Sequence, residues 1–299
     1  SKVPENCDTV IMQEFTKVEN NQLFIDDESL KTGGNIRTKG YQIKQGDMAL
    51  SKGTVLNPAA IGFLATLGIT EVSVFTLPKV NILITGNELV APGEKLDEGQ
   101  IYESNSLILK AAFEKMNISP TISYLKDNQE ATTNAITNAL NNADMVILSG
   151  GISVGDYDFV QQGILENGVS QIFYKVAQKP GKPLFFGKKE NKAVFGLPGN
   201  PAAALTCFYE YIYPYINLSF GLKQAFLNQL QLPLSKDIKQ KPGRATFLKA
   251  TTDFKTVTPL EGQNSDALQS FAYANALLLT PADATIIKKG ELVNVHLLP

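Results

Sequence analysis

Three carboxylates stand where chemistry could be done. Glu88, Asp127 and Asp158 come after the apolar runs Val80–Ile84, Thr121–Leu125 and Met145–Leu148. Taken singly, each is explained as the cap of a following helix, a common post for an acidic side chain. Taken together, they offer hard oxygen donors after three strands, a set that could converge on one divalent cation such as Mg²⁺. A cation there would bridge phosphate oxygens and neutralise the charge that develops as an anhydride breaks.

The neighbouring loops are built to approach an anion. Thr85-Gly86-Asn87-Glu88 follows the first run, and Ser149-Gly150-Gly151-Ile152-Ser153-Val154-Gly155-Asp156-Tyr157-Asp158 follows the third. Hydroxyls at Thr85, Ser149 and Ser153, with glycines at 86, 150, 151 and 155, suit a phosphate-cradling backbone, although a Gly-Gly pair also marks a plain tight turn. Complementary charge comes from Lys175, Lys179 and Lys182, in a segment whose Pro180, Gly181 and Pro183 stiffen the chain and fix where the amines point. The plainer alternative is a solvated basic loop. Gly196-Leu197-Pro198-Gly199-Asn200-Pro201 adds, through Gly199 and Asn200, a helix start that favours negative charge. The chain has a single histidine, His296, so neither a catalytic triad nor a His-ligated metal is indicated. Cys7 and Cys207 are widely separated and read as buried thiols rather than a disulfide or zinc pair.

These groups need a sheet to position them. From Lys79 onward the pattern alternates between strand and helix. Helices are expected from Ser104 to Met116, with Leu109, Ala112, Phe113 and Met116 on one side, from Asn128, carrying Ile136 and Leu140, and near Asp158, with Val160 and Ile164 inward. A further strand covers Gln171–Val176, and Leu184–Phe186 with Ala193–Phe195 forms a hairpin. Asn200 and Pro201 then serve as cap and first residue of a long helix with Leu205, Phe208, Tyr209 and Ile212 inward. The fold class is therefore α/β, with a mostly parallel sheet covered on both faces and ligands outside the carboxyl ends of its strands. This domain spans 78–222. Residues 1–40 read as a partial β module with strands at Thr9–Met12 and Gln22–Ile25. Residues 41–77 form a mixed remnant, in which Asn57 caps a helix starting at Pro58, with Ile61, Leu64 and Ala65 inward, before a strand at Glu71–Phe75. Residues 223–299 read as a small β-barrel domain, with strands at Thr246–Leu248, Leu277–Leu279 and Leu292–Leu297.

A chain of 299 residues with a formal net charge of -2 has no global basic field, which argues against nucleic-acid or anionic-membrane partners. No apolar run reaches bilayer length, and the start lacks a signal pattern, so a cytoplasmic protein is expected.

The ordered set TGNEL, SGGISVGDYD, KPGKP and GLPGNP resembles the MoeA/gephyrin E-domain family, the molybdopterin molybdenumtransferases. VIMQE near the start resembles that family's β module, and KPGR from Lys241 its final domain. The resemblance implies a MogA-like molybdopterin-binding domain and about a hundred further residues ahead of this chain. It implies insertion of molybdate into adenylylated molybdopterin with Mg²⁺ and release of AMP. It also implies an elongated homodimer, with a molybdopterin adenylyltransferase and molybdoenzyme chaperones as partners. By the same resemblance Glu88, Asp127 and Asp158 are the active-site carboxylates and metal ligands, and Lys175 and Lys179 the active-site lysines. Lys182, Pro183, Arg244 and Ser265 are the oxyanion-binding positions.

Two departures stand out. Gln42, in Gly40-Tyr41-Gln42-Ile43, occupies a position where the family usually has an acid, and Ala202 and Ala203 follow GLPGNP where many members place a hydroxyl. An amide cannot replace a carboxylate's charge, so a non-catalytic pterin-binding scaffold is a second reading. An adenylyltransferase-like or CinA-like nucleotide enzyme is a third, disfavoured by the KPGR-containing β domain.

Overall fold

A computed structural model describes residues 2–125, 128–152 and 159–299. The chain divides into two compact units, Ser1–Glu71 and Val72–Pro299.

In the first unit, β1 (Thr16–Glu19) and β2 (Gln22–Ile25) form an antiparallel hairpin. Its two-residue turn places Asn20 and Asn21 at φ 49° and 63°, as a type I′ turn requires. The strand expected at Thr9–Met12 is absent. Val10 instead donates to the Gly34 carbonyl and accepts from the Asn35 amide, so this backbone is committed to a turn rather than to a ladder. Helix α1 (Pro58–Thr66) is capped by Asn57, whose side chain accepts from Ala60 N at 2.9 Å. It ends in a Schellman pair, Gly68 N to Ala65 O and Ile69 N to Leu64 O. Its buried face is Ala60 and Leu64; Ile61, expected inward, is 57% exposed, and Ala65 is exposed too. The second expected strand, Glu71–Phe75, is also absent: among the described residues no strand pairs with it, and Val72, Val74 and Phe75 stay exposed.

The second unit opens with β3 (Val80–Thr85), the short parallel pair β4 (Leu89–Val90) and β5 (Ile101–Tyr102), and α2 (Asn105–Glu114). There follow β6 (Thr121–Leu125), α3 (Gln129–Asn142), β7 (Met145–Ser149), α4 (Phe159–Glu166), β8 (Ser170–Tyr174), β9 (Gln178–Lys179), β10 (Phe185–Lys189) and β11 (Lys192–Leu197). The main sheet has the order β6-β3-β7-β11-β10-β8; its first four strands are parallel, and β10 runs antiparallel to both neighbours. Strand periodicity divides the core. Val80, Ile82, Ile84, Met145 and Ile147 face one layer with Leu109 and Phe113, whereas Leu83, Val146 and Leu148 face the other with Ile136, Leu140, Val160 and Ile164. Each fully buried Leu, Ile or Phe side chain contributes roughly 1.5–3 kcal/mol of burial free energy.

Helix α5 (Pro201–Cys207) runs through a π-helical turn, Phe208–Ile212, into α6 (Tyr213–Ser219). The final elements are β12 (Gln229–Pro233), β13 (Ile238–Lys239), β14 (Ala245–Thr252), β15 (Val257–Pro259), α7 (Leu268–Ala272), β16 (Ala276–Thr280), β17 (Ile286–Ile287) and β18 (Leu292–Leu297). Their sheet has the order β12-β18-β16-β14-β15. A parallel bridge between Leu234 and Val257, with Ser235 N donating to Val257 O, joins its two ends into a small barrel. The barrel is filled by Leu232, Leu234, Ala250, Leu278, Val293 and Val295.

Candidate active site

Strand register sets the floor of the site. Ile84 and Leu197 both align with Ser149, and Thr85 aligns with Leu125, so β6, β3, β7 and β11 finish nearly level. The loop leaving β3 carries Glu88, and in the sequence Asp127 follows β6 and Asp158 follows β7. Glu88 is exposed and has no ion-pair partner among the described residues. Asp127, Ser153, Gly155 and Asp158 lie outside the described residues, and among the described residues no three His, Cys, Asp or Glu side chains form a metal-binding group. The expected donors are all carboxylates, a chemistry that suits Mg²⁺ rather than a soft metal.

Two glycine turns meet above this floor. Gly150 has φ 92°, and a β-carbon there would lie 2.4 Å from the Thr85 carbonyl oxygen, so only glycine brings β7's exit this close to β3's. Gly199 sits beside the Gly150 backbone, within ordinary contact of a β-carbon built on it. Asn105, at the first turn of α2, ties the two loops together: its amide nitrogen donates to Ser149 Oγ at 2.8 Å and to Gly199 O at 2.7 Å. Its carbonyl oxygen is buried with no partner among the described residues. The same turn is capped by the buried Glu103, which accepts from Ser106 N at 2.8 Å and from the Ser106 hydroxyl.

The cationic loop is pinched at its neck, where Lys175 N donates to Leu184 O and Val176 N to Lys182 O. This brings Lys175 near Lys182 and Pro183. The Lys175 ammonium lies 4.8 Å from the Tyr174 ring centroid. At the loop's far side, β9 pairs in parallel with β14 of the barrel, aligning Lys179 with Thr246 two residues beyond Arg244. Lys175, Lys179, Lys182 and Arg244 are exposed and make no ion pair with a described residue. Between them Gln178 is buried; its amide donates to Pro180 O at 3.1 Å and accepts from the Tyr211 hydroxyl. Gly181 packs so tightly on α5 that a β-carbon would fall 2.5 Å from Cys207 Sγ.

Asn200 and Pro201 hold the expected cap and first positions of α5, but the Asn200 side chain makes no capping hydrogen bond. Its amide donates instead to Ser265 Oγ at 2.7 Å, while the Ala203 N–H in the helix's first turn donates to Ser265 O at 3.2 Å. A barrel loop thus supplies the cap, and Gly199, Asn200 and Ser265 are brought together at the seam between sheet and barrel.

Burial keeps Cys207 in its thiol form. Burial pushes the Cys207 thiol up, the Glu210 charge adds to this, and only the Gln178 hydrogen bond opposes it. Cys7, expected to be buried, is exposed. Burial likewise raises the Tyr211 hydroxyl to about 12, with help from Cys207 and Glu210. His296 is occupied structurally, with Nδ1 2.9 Å from Glu210 Oε1, tying β18 to the π-helical turn. Asn105, Gln178 and Glu210 were not singled out from the sequence. The available signal was a polar residue interrupting an apolar helix or loop segment, which marks burial of a polar group only once its partners are known.

Comparisons with known proteins place this geometry. Family models described as "MoeA N-terminal region (domain I and II)", "Probable molybdopterin binding domain" and "MoeA C-terminal region (domain IV)" match residues 1–68, 81–218 and 231–298. The molybdopterin molybdenumtransferase of Haemophilus influenzae is 35% identical, over 98% of this chain and 74% of its own length. That of Staphylococcus epidermidis is 34% identical, over 99% and 72%. The crystal structure of the molybdopterin biosynthesis protein MoeA from Pyrococcus horikoshii OT3 superposes with a TM-score of 0.83 at 29% identity, covering 100% of this chain and 73% of that one. The chain thus spans about three quarters of the length of these relatives. With a domain-by-domain match along its whole length and one-third identity to named enzymes, the chain belongs to the MoeA family of molybdopterin molybdenumtransferases.

Proposed function

We propose that this protein is a transferase of molybdenum cofactor biosynthesis that inserts molybdate into adenylylated molybdopterin and releases AMP. The observation that carries the reading is that two unlike groups are held against α5. One is the set of glycine-bearing loops leaving the parallel strands; the other is the stiffened cationic loop with the Asn200–Ser265 pair.

Division of labour follows from the chemistry of each group. Thr85, Gly86, Ser149, Gly150, Gly151, Ser153, Gly155 and Gly199 offer bare backbone and short hydroxyls, which admit phosphate oxygens closely. Lys175 and Lys179 stabilise charge developing on the pyrophosphate. Lys182, Pro183, Arg244, Asn200 and Ser265 form the molybdate pocket, in which an exposed guanidinium and ammonium gather the dianion. Glu88, Asp127 and Asp158 would hold Mg²⁺, which would supply Lewis-acid polarisation of the anhydride. The soft ligands to molybdenum are the dithiolene sulfurs of the substrate, in keeping with a buried Cys207 held as a thiol. On this reading the working unit is a cytoplasmic homodimer that receives its pterin from an adenylyltransferase and passes product to molybdoenzyme chaperones. Among the described residues no helix is long and apolar enough to cross a membrane.

The test is reconstitution with purified protein, adenylylated pterin, molybdate and Mg²⁺. AMP release and activation of an apo-molybdoenzyme are expected, and absence of both rejects the reading. One observation favours a second reading, a scaffold that binds pterin without turnover. Gln42 lines a cavity of about 470 Å³ with Arg37, Thr38, Gly40, Tyr41, Ile43 and Leu67, and no carboxylate is among them. In the same assay, retention of intact adenylylated pterin without AMP release selects that alternative.

A further inference from the structure

Lys249 lies in the middle of β14 and is 4% exposed. Its ammonium donates to three main-chain carbonyls of one loop: Gly262 at 2.7 Å, Ala267 at 2.9 Å and Asn264 at 3.0 Å. An ammonium has three protons and no acceptor, so this set uses its whole capacity. The same loop is stitched to the backbone of Lys249. Gln263 Oε1 accepts from Lys249 N at 2.9 Å, and Gln263 Nε2 donates to Lys249 O at 2.8 Å. Burial lowers the affinity of Lys249 for its proton, and the nearby Asp266 charge offsets this in part.

The loop held this way carries Ser265, and Ser265 makes both links to the start of α5, its hydroxyl to Asn200 and its carbonyl to Ala203 N. Each carbonyl bound to Lys249 is within three residues of Ser265, one on either side being Asn264 and, two along, Ala267. Without the ammonium, three inward-pointing carbonyls would lose their donor, and the loop would relax toward water.

We infer that Lys249 is a positioning residue for the oxyanion end of the substrate: its buried ammonium fixes the 262–267 loop so that Ser265 and Asn200 are preset for molybdate. The functional half of this rests on the reading of Ser265 and Asn200 as molybdate contacts; the structural half does not.

The experiment compares wild type, Lys249→Met, Ser265→Ala and the double variant in two measurements. The first is amide hydrogen exchange without substrate. Lys249→Met is expected to speed exchange at Ala203 and along 262–267 by at least about tenfold, leaving the β3 and β7 amides protected. Unchanged protection at Ala203 overturns the inference, whatever the enzyme's activity. The second is molybdate-dependent AMP release. Lys249→Met is expected to raise the KM for molybdate about tenfold with kcat at saturation nearly unchanged, and the double variant to be no worse than Ser265→Ala alone. Additive losses, or a fall in kcat at constant KM, overturn the positioning role. A wild type that releases no AMP rejects the proposed function, and the exchange measurement then still decides what Lys249 holds.

Discussion

The two sides of the site combine steric fit and hydrogen bonding in different proportions. At the carboxyl edge of the sheet, proximity begins with missing atoms: Gly150 lies against the Thr85 carbonyl because it has no β-carbon, and Asn105 adds one tie between the loops. At the seam with the barrel, proximity comes from buried polar side chains, with Gln178 bracing the cationic loop and Lys249 the Ser265 loop. Steric fit is rigid and fails abruptly, whereas a hydrogen-bonded brace fails by degrees. On the proposed reading, the edge serves fixed phosphate geometry and the seam a small anion that must enter and leave.

The comparison is broken most directly at Gly150. Gly150→Ala forces the β7 exit away from β3 and is expected to cut AMP release by about 100-fold, with circular dichroism unchanged; a loss of less than tenfold would mean that the edge tolerates displacement. Asn105→Ala is next. It leaves the Gly199 carbonyl without its donor and should lower stability to urea by about 1–3 kcal/mol. Gln178→Met at the seam should cost less, about 1 kcal/mol, because the Tyr211 hydroxyl that it abandons is only partly buried and can turn to water. If Gln178 proves the costlier of the two, the contrast between edge and seam is reversed.

The smallest effect concerns alkaline pH. Cys207 and Tyr211 both hold their protons more tightly folded than unfolded, so their contribution is complete below about 9, the ordinary thiol value, and is lost as pH rises. Tyr211 steepens the decline between its ordinary value of 10.0 and its folded value of about 12. Thermal melts should fall progressively above pH 9, and Tyr211→Phe should flatten the upper part of the curve. An identical slope in the variant assigns the decline elsewhere.

The sheet was legible in the sequence because its strands are apolar runs bounded by glycine and polar loops. Thr121–Leu125 has the expected bounds, and Val80–Ile84 and Met145–Leu148 each extend by one residue. Thr9–Met12 and Glu71–Phe75 have strand-like composition, but a strand exists only where another strand faces it, which local composition does not encode. The site was legible in the same uneven way. Glycines and prolines announce loops by their own backbone limits, so the four motif segments could be found. Asn200 looked like a cap because its neighbour is proline; that the cap would come from Ser265, 65 residues later, depends on the packing of a different domain. Lys249 gave no local sign at all, since a lysine in a strand usually points to solvent.

The π-helical turn between α5 and α6 has a consequence of its own. A wide turn holds one surplus residue relative to a regular helix. Deleting one residue within Phe208–Ile212 would therefore leave the phase of the downstream half almost unchanged, whereas closing that turn to α-helical hydrogen bonding with every residue kept would rotate the downstream half by about 100°. Tyr215, now edge-on to Phe186 and Phe195, would swing off the sheet, and Glu210 would lose its alignment with His296. That single insertion works as a phase adjuster, letting one continuous rod face the sheet with one half and the barrel's last strand with its middle.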